Sequence, residues 1–232
     1  LENRLVVTRA DENISEMTSI THEYLRKYAD ICKADFKVLD SNTWPHYHYR
    51  ILELYKLFET YDRILCLDSD ILILKTCPNI FKLVPEDCIG TIYEDKGSRL
   101  EDRRNRIEKI QKERGNVGWY ENYINTGVII FSKIHRELFN LNKDELWMSL
   151  GFDDVELGFQ IHRLGYNVYE LPCEWNFMSM HNEGWNQNSS RFDAFIIHYA
   201  GMGNFYGRHI NKSRFDFIKE DYLVLKKYDL LI

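Results

Sequence analysis

The run Arg63-Ile-Leu-Cys-Leu-Asp-Ser-Asp-Ile-Leu-Ile-Leu-Lys75 constrains this chain more than any other segment. An apolar strand pattern stops at Asp68 and resumes at Ile71. In extended backbone, residues i and i+2 share a face, so Asp68 and Asp70 present two carboxylates side by side. Ionised carboxylates in apolar surroundings cost several kcal/mol each unless something positive sits between them. A divalent cation with oxygen ligands answers that need, and it would in turn hold an anionic ligand such as a diphosphate. Asp-x-Asp alone also suits a turn or a helix cap. The flanking Ile64, Leu65, Leu67 and Ile71 to Leu74 favour the metal reading, because they mark a buried strand with the acids at its break.

At 232 residues the chain is long enough for one medium-sized domain, expected over 1–232. An apolar content of 44% with only 4 prolines describes a folded protein. A formal net charge of −6 argues against a nucleic-acid binder. It also strengthens the case for a metal. Two like charges about 4 Å apart repel by roughly 4 kcal/mol at an effective dielectric of 20, so an acidic protein binding an anionic ligand needs a cationic bridge. The cysteines (Cys32, Cys66, Cys77, Cys88, Cys173) are odd in number and form no Cys-x-x-Cys pair. They suggest free thiols in a reducing, cytoplasmic compartment rather than disulfides or a zinc site. No signal peptide and no apolar run of membrane-spanning length is visible. The start at Leu1 in place of Met leads us to expect a piece of a longer polypeptide. The sequons at Asn13, Asn188 and Asn211 carry little weight without a secretory signal.

Periodicity predicts strands at Arg4–Thr8, Asp35–Leu39, Asp62–Leu67, Cys88–Tyr93, Tyr123–Phe131, Asn167–Leu171 and Phe195–Tyr199. Helices are expected from Ile14 to Ile31, His48 to Thr60, Val155 to Leu164 and Phe215 to Tyr228. Alternating strands and helices imply an α/β fold with a mostly parallel central sheet flanked by helices. The charged stretch Asp95–Arg114 reads as a solvated helix or loop, with a lid over an active site as its functional version. In such sheets ligands bind beyond the carboxyl ends of the strands. Thr8–Asp11, Asp68–Asp70, Asn125–Gly127 and His198 all fall there. Neither a Gly-x-x-x-x-Gly-Lys loop nor a Gly-x-Gly-x-x-Gly turn occurs, which argues against a P-loop or dinucleotide fold.

The order of motifs resembles a known family. The Thr8-to-Asp11 strand end is followed by Tyr49-Arg50, Asp68-Ser69-Asp70, Tyr123-Ile-Asn-Thr-Gly-Val-Ile-Ile130, Leu171-Pro-Cys-Glu-Trp-Asn176 and Ile197-His-Tyr-Ala-Gly201. This succession, spanning roughly residues 4 to 205, is similar to the GT-A fold nucleotide-sugar glycosyltransferases that include glycogenin and the bacterial lipopolysaccharide galactosyltransferases. Its variants are also similar to glycosyltransferase domains of large algal viruses. The resemblance implies a metal-dependent transfer of a hexose from a UDP-sugar to a hydroxyl acceptor such as a glycan, with retention of configuration.

Residue by residue, the resemblance implies that Asp68, Asp70 and His198 hold Mn²⁺ or Mg²⁺; the mixed oxygen and nitrogen set suits Mn²⁺ better than Ca²⁺. It places Thr8, Asp11 and Ser69 toward the nucleoside, and Arg50 toward the donor sugar or the Asp-x-Asp carboxylates. Asn125 and Thr126 match a sugar-contacting turn. Gly201, like Gly203, belongs to the His-x-x-Gly segment. Each has a plainer reading: turn and N-cap chemistry for Thr8 and Asp11, a surface arginine for Arg50, a core histidine for His198, packing for Gly127. Two departures stand out. Where the family has Asp-Gln-Asp, this chain has Phe152-Asp-Asp-Val-Glu156. Asp153 or Asp154 then faces the anomeric carbon or an acceptor hydroxyl, or Asp153 and Glu156 form a capping box. The family's diphosphate-gripping lysine is missing from Gly201-Met-Gly-Asn-Phe205, leaving Arg208, His209 or Lys212 as replacements.

Three rival readings remain open from sequence. A haloacid-dehalogenase phosphatase also uses Asp-x-Asp after a strand, but has Thr or Val where Leu72 stands. A sugar-1-phosphate nucleotidyltransferase would need a Gly-rich N-terminal loop. A glycan- or nucleotide-sugar-binding module without turnover would share the fold, and Trp44, Trp119, Trp175 and Trp185 could stack on sugars in either case.

Overall fold

The computed structural model describes residues 2–201, 205 and 211–232; Gly203, Arg208 and His209 lie outside the described residues. The chain runs through β1 (Arg4–Arg9), α1 (Ser15–Cys32), β2 (Asp35–Leu39), α2 (Leu54–Leu57), β3 (Arg63–Leu67), β4 (Ile71–Ile73) and β5 (Cys88–Thr91). It continues through α3 (Leu100–Arg114), β6 (Val128–Ser132), α4 (Phe152–Leu164), β7 (Asn167–Glu170), β8 (Ile196–His198) and α5 (Arg214–Lys227).

Six strands form one sheet in the order β2-β1-β3-β6-β5-β7, and β4 pairs with β8 in a small second sheet. The large sheet is mainly parallel: β1 runs parallel to β2 and β3, and β5 parallel to β7. The antiparallel member is β6, against both β3 and β5. Sheet residues alternate between two cores. Val6, Leu65 and Leu67 face one with Leu25 and Tyr28 of α1, while Leu5, Val7, Ile64 and Cys66 face the other with Leu157 and Ile161 of α4. Each buried aliphatic chain contributes about 1.5–3 kcal/mol. This two-sided burial explains why β3 reads as an unbroken apolar run.

The topology brings the polar strand ends together. Strands β1 and β3 are parallel, so Arg9 and Asp68 leave the sheet at the same edge. Because β6 is antiparallel, its beginning lies at that edge too, with Leu67 opposite Val128. The small sheet sets Ile71 opposite His198. Its register carries a histidine from near residue 200 to the side of Asp70.

Two expectations need correction. The segment expected as a helix from His48 to Thr60 is a 3-10 turn over Tyr47–Glu53 followed by the single α-turn of α2. The strand expected from Tyr123 begins at Val128; Tyr123–Gly127 is an irregular connection with one isolated bridge, Ile124 to Tyr93. The charged stretch takes the helical one of its two expected forms and is largely solvated. It forms α3, with Ile107 and Ile110 buried against Trp119, Trp147, Val155 and Phe159. All five cysteines are free. No helix among the described residues is long and apolar enough to cross a membrane.

Candidate active site

Asp68, Ser69 and Asp70 form the tight connection between β3 and β4. Asp68, Asp70 and His198 each offer one ligand atom, and these atoms lie within 4.8 Å of one another. His198 Nε2 stands 3.3 Å from Asp70 Oδ1 and 3.6 Å from Asp68 Oδ2. The opposite ring nitrogen, Nδ1, lies 2.7 Å from Asn176 Oδ1. Nδ1–H donates there, which leaves Nε2 facing the carboxylates, able to bind a metal once its proton is displaced. Gly127 closes the cradle from below. A Cβ built on it would stand 2.3 Å from His198 Cε1 and 2.9 Å from Asp68 Oδ2. The glycine is there for close approach. The donor set, the tautomer and the cradle all fit a divalent cation.

Positive charge already surrounds these acids. Arg9 donates to both Asp68 and Asp153, and to the His48 carbonyl at 3.0 Å. Arg214, at the start of α5, donates to Asp70 Oδ2 at 2.7 Å. Burial would raise the Asp70 carboxyl, but His198 and Arg214 hold it well below the usual range. Burial likewise works against the His198 imidazolium, and Asp70 outweighs it, so that ring is raised.

The residues expected at the nucleoside end divide in two. Asp11 and Arg50 line a cavity of about 290 Å³ together with Asp68, Ser69, Asp70 and Arg214. Arg50 is buried and spends its guanidinium on Asp11 Oδ2 (2.9 Å), Asn42 Oδ1 (3.1 Å) and the Ser41 carbonyl (2.9 Å). It does not reach the Asp-x-Asp carboxylates, and Arg9 occupies that position. Asp11 also caps a short turn by accepting from the Asn13 amide. Thr8 is fully buried and meets Ser69 Oγ at 2.9 Å, while Ser69 donates to the Arg9 carbonyl at 2.8 Å.

Asn125 and Thr126 are buried network members. Asn125 Nδ2 donates to Glu94 at 2.7 Å, and its Oδ1 accepts from Asn176 Nδ2 at 2.7 Å and from the Gly127 amide at 2.9 Å. The Thr126 hydroxyl lies 2.8 Å from both Asp153 Oδ2 and Asp154 Oδ1, and its amide donates to Asp154 at 2.8 Å. Gly201 sits in the turn after β8 at φ 65°, a conformation open to glycine.

The two acids at the start of α4 have unlike surroundings. Asp153 is buried under Arg9, Thr126 and His48, whose Nδ1 lies 3.3 Å away. Burial alone would raise its carboxyl; Arg9 and His48 outweigh that and keep it ionised. Asp154 is partly exposed. Burial first, then the charges of Asp153 and Glu94, push it up to about 8. Paired carboxyls with separated proton affinities can divide acid and anion roles between them. The capping-box alternative is not formed. Gly151 occupies the N-cap, and Glu156 turns away to Arg114 at 2.8 Å and to the Trp147 amide at 2.8 Å.

Sequence reasoning missed Arg9, Arg214, Glu94 and His48, and gave Asn176 no role beyond ending a motif. Arg9 directly follows Thr8, so its position at a strand end was the available signal. Lys212, one of the three replacements for the family lysine, is committed to Glu220 on the surface. Among the described residues, the arginine that reaches Asp70 is Arg214.

The profile of glycosyl transferase family 8 matches residues 6–204. No curated protein matches the chain. Among solved structures it is similar to a glycosyltransferase involved in glycosylation of the major capsid of PBCV-1, with 14% identity and a TM-score of 0.58 over 94% of this chain and 98% of that one. The bifunctional glycosyltransferase WbbM in its apo form is similar at 17% identity and a TM-score of 0.61, over 95% of this chain and 50% of WbbM. The galactosyltransferase LgtC, in complex with donor and acceptor sugar analogues, is similar at 16% identity and a TM-score of 0.57, over 95% of each chain. At these identities the shared property is the fold.

Proposed function

The chain belongs to glycosyl transferase family 8, and from that premise we propose that it moves a hexose from a UDP-sugar onto a hydroxyl of an acceptor glycan, retaining the anomeric configuration. Residues 1–232 are read as one catalytic domain. Asp68, Asp70 and His198 would hold Mn²⁺, with Mg²⁺ as the substitute. The observation that carries this reading is the convergence of those three ligand atoms within 4.8 Å, with His198 Nδ1 already engaged by Asn176. A divalent cation bound there supplies Lewis-acid stabilisation of the departing diphosphate.

The chain's own groups do the rest. Arg214 lines the cavity beside Asp70 and takes the diphosphate contact of the missing lysine, adding preorganised positive charge where negative charge accumulates. Asp11, Arg50 and Ser69 line the nucleoside end of the same cavity. Thr8 buttresses Ser69 from within. Asn125 and Thr126 act one step back: Asn125 in the bond network that orients His198, Thr126 by clamping Asp153 and Asp154 in register. Asp154 is the acid with access to the reacting sugar, and Asp153 anchors Arg9. Gly201 lets the chain turn directly after His198.

Calorimetric titration of UDP with and without Mn²⁺ tests the proposal. Binding should tighten strongly with Mn²⁺ and lose that dependence in Asp70→Asn. Equal affinity under both conditions would refute the cation bridge.

A further inference from the structure

Of the four tryptophans that could stack on a sugar, none presents a face to the site. Trp119 and Trp175 are buried. Trp44 lies under the Lys143 ammonium, 4.7 Å from its ring centroid. Trp185 lines a separate cavity with His181 and Cys173. A different aromatic cluster lies beside the candidate acids. The rings of His46 and Phe152 stack with centroids 3.9 Å apart and planes 4° apart. His48 lies nearly parallel to both, 5.0 Å from His46 and 5.5 Å from Phe152. Tyr47 packs on His46 at 4.2 Å and on His48 at 4.4 Å, yet 55% of its surface is exposed. Tyr47 and His48 line the same cavity as Asp68, Asp70 and Arg214.

This wall is held in place at a cost. Phe152 adopts φ 30°, and the preceding Gly151 φ 89°. A non-glycine residue in that region is strained by about 1–3 kcal/mol, and such strain persists only where surrounding contacts over-determine it. Gly151 cannot be replaced without conflict, since a Cβ there would stand 2.4 Å from Tyr123 Oη. The strained pair seats the Phe152 ring against His46 and, one residue later, delivers Asp153 to Arg9 and His48. The polar edge of the wall is His48. Its Nδ1 lies 3.3 Å from Asp153 Oδ1, and the ring lines the cavity.

We infer that the exposed face of Tyr47, with His48 beside it and Phe152 supporting the cluster from behind, forms the acceptor platform, and that the acceptor is a pyranose whose apolar ring face lies on Tyr47 while its hydroxyl edge hydrogen-bonds the His48 ring. A flat aromatic face matches the axial C–H face of a pyranose, and an imidazole beside it matches its hydroxyl edge. The inference rests on the transferase reading, since it supplies the second substrate of that same site. Its closest competitor is the uracil ring of the donor, which could stack on the same exposed tyrosine.

Saturation-transfer NMR and titration with methyl pyranosides of glucose, galactose, mannose and xylose, in the presence of UDP and Mn²⁺, decide the matter. The expected result is binding of at least one glycoside to the unaltered chain. Tyr47→Ala and Phe152→Leu should weaken it about tenfold, the worth of one lost stacking face, while UDP affinity measured in parallel stays unchanged. Tyr47 is exposed, so its variant keeps the fold, and a thermal melt checks Phe152→Leu. Glycoside affinity that is the same in both variants would overturn the platform while Mn²⁺-dependent UDP binding kept the transferase reading intact. Loss of UDP affinity in step with the glycoside would assign the wall to the donor base. No binding of any of the four glycosides would also overturn it.

Discussion

Glu94 sets the tautomer of His198 through two asparagines. The Glu94 carboxylate is held ionised despite burial by Arg99 and Arg103, at 3.0 and 2.6 Å, and can only accept hydrogen bonds. Asn125 must therefore turn its NH₂ to Glu94 and its carbonyl to Asn176, whose own carbonyl then faces His198 Nδ1. An acceptor at one end of the relay fixes a donor at the other, and Nε2 is the nitrogen left to face Asp68 and Asp70.

Breaking this relay should cost metal affinity without removing any ligand. Asn176→Leu is expected to weaken Mn²⁺ binding by about 10–100-fold, the usual effect of losing a partner behind a ligating histidine. Calorimetry with MnCl₂ measures it directly. An unchanged affinity would show that His198 is oriented by packing alone.

Gly127→Ala should be more damaging to the cation site than to the fold. The added methyl would meet His198 Cε1 at 2.3 Å, an impossible contact, while the β6 pairing that begins one residue later keeps its hydrogen bonds. The expected outcome is loss of Mn²⁺-dependent UDP binding, with a melting temperature lowered by only a few degrees. Intact Mn²⁺ binding would mean that the cradle can widen.

Arg9 ties the cation site to the acids of α4, and its removal should expose that coupling. Arg9→Met would leave Asp153 as a buried charge deprived of its guanidinium, a change that costs about 3–5 kcal/mol. Adding Asp153→Asn removes the charge and should restore a large part of the loss, so the two changes will not add. Urea unfolding of the single and double variants gives the coupling. Strict additivity would sever the proposed link. Arg9→Lys should not rescue, because one ammonium cannot serve two carboxylates as a planar guanidinium fork does.

Much of this architecture was readable because it rests on local pattern. The apolar runs on either side of Asp68 and Asp70 marked both the buried strand and its polar break. The helical spacing of Met17, Leu25 and Tyr28 placed α1 within a residue of its observed ends. What escaped depends on pairing across long separations. Arg214 meets Asp70 across a sequence separation of 144 residues, and nothing near either residue records it. The direction of β6 was equally hidden, since Val-Ile-Ile-Phe buried on both faces reads the same parallel or antiparallel. The segment after His46 has helical apolar spacing, yet it winds as a 3-10 turn that buries Tyr49, Arg50, Ile51 and Leu52 in succession. Periodicity could not separate those two forms.

Asp154 should leave a pH signature in stability. Unfolded, its carboxyl titrates near the ordinary value of about 3.9; folded, it is pushed up to about 8 by burial and by the charges of Asp153 and Glu94. Between those values the folded chain keeps a proton that the unfolded chain has released. Its contribution is therefore fully present below the unfolded value and is lost as pH rises through the interval, levelling off above the folded value. Asp154→Asn keeps the carbonyl that accepts from the Thr126 amide at 2.8 Å but cannot ionise. Without added metal, the variant should match the parent melting temperature near the acid end of that window and exceed it increasingly toward about pH 8. Transfer should meanwhile fall in the variant if Asp154 is the acid proposed above to reach the sugar. A melting difference that stays constant with pH would place the Asp154 proton affinity back in the ordinary carboxylate range, and Asp153 and Asp154 would no longer divide their roles.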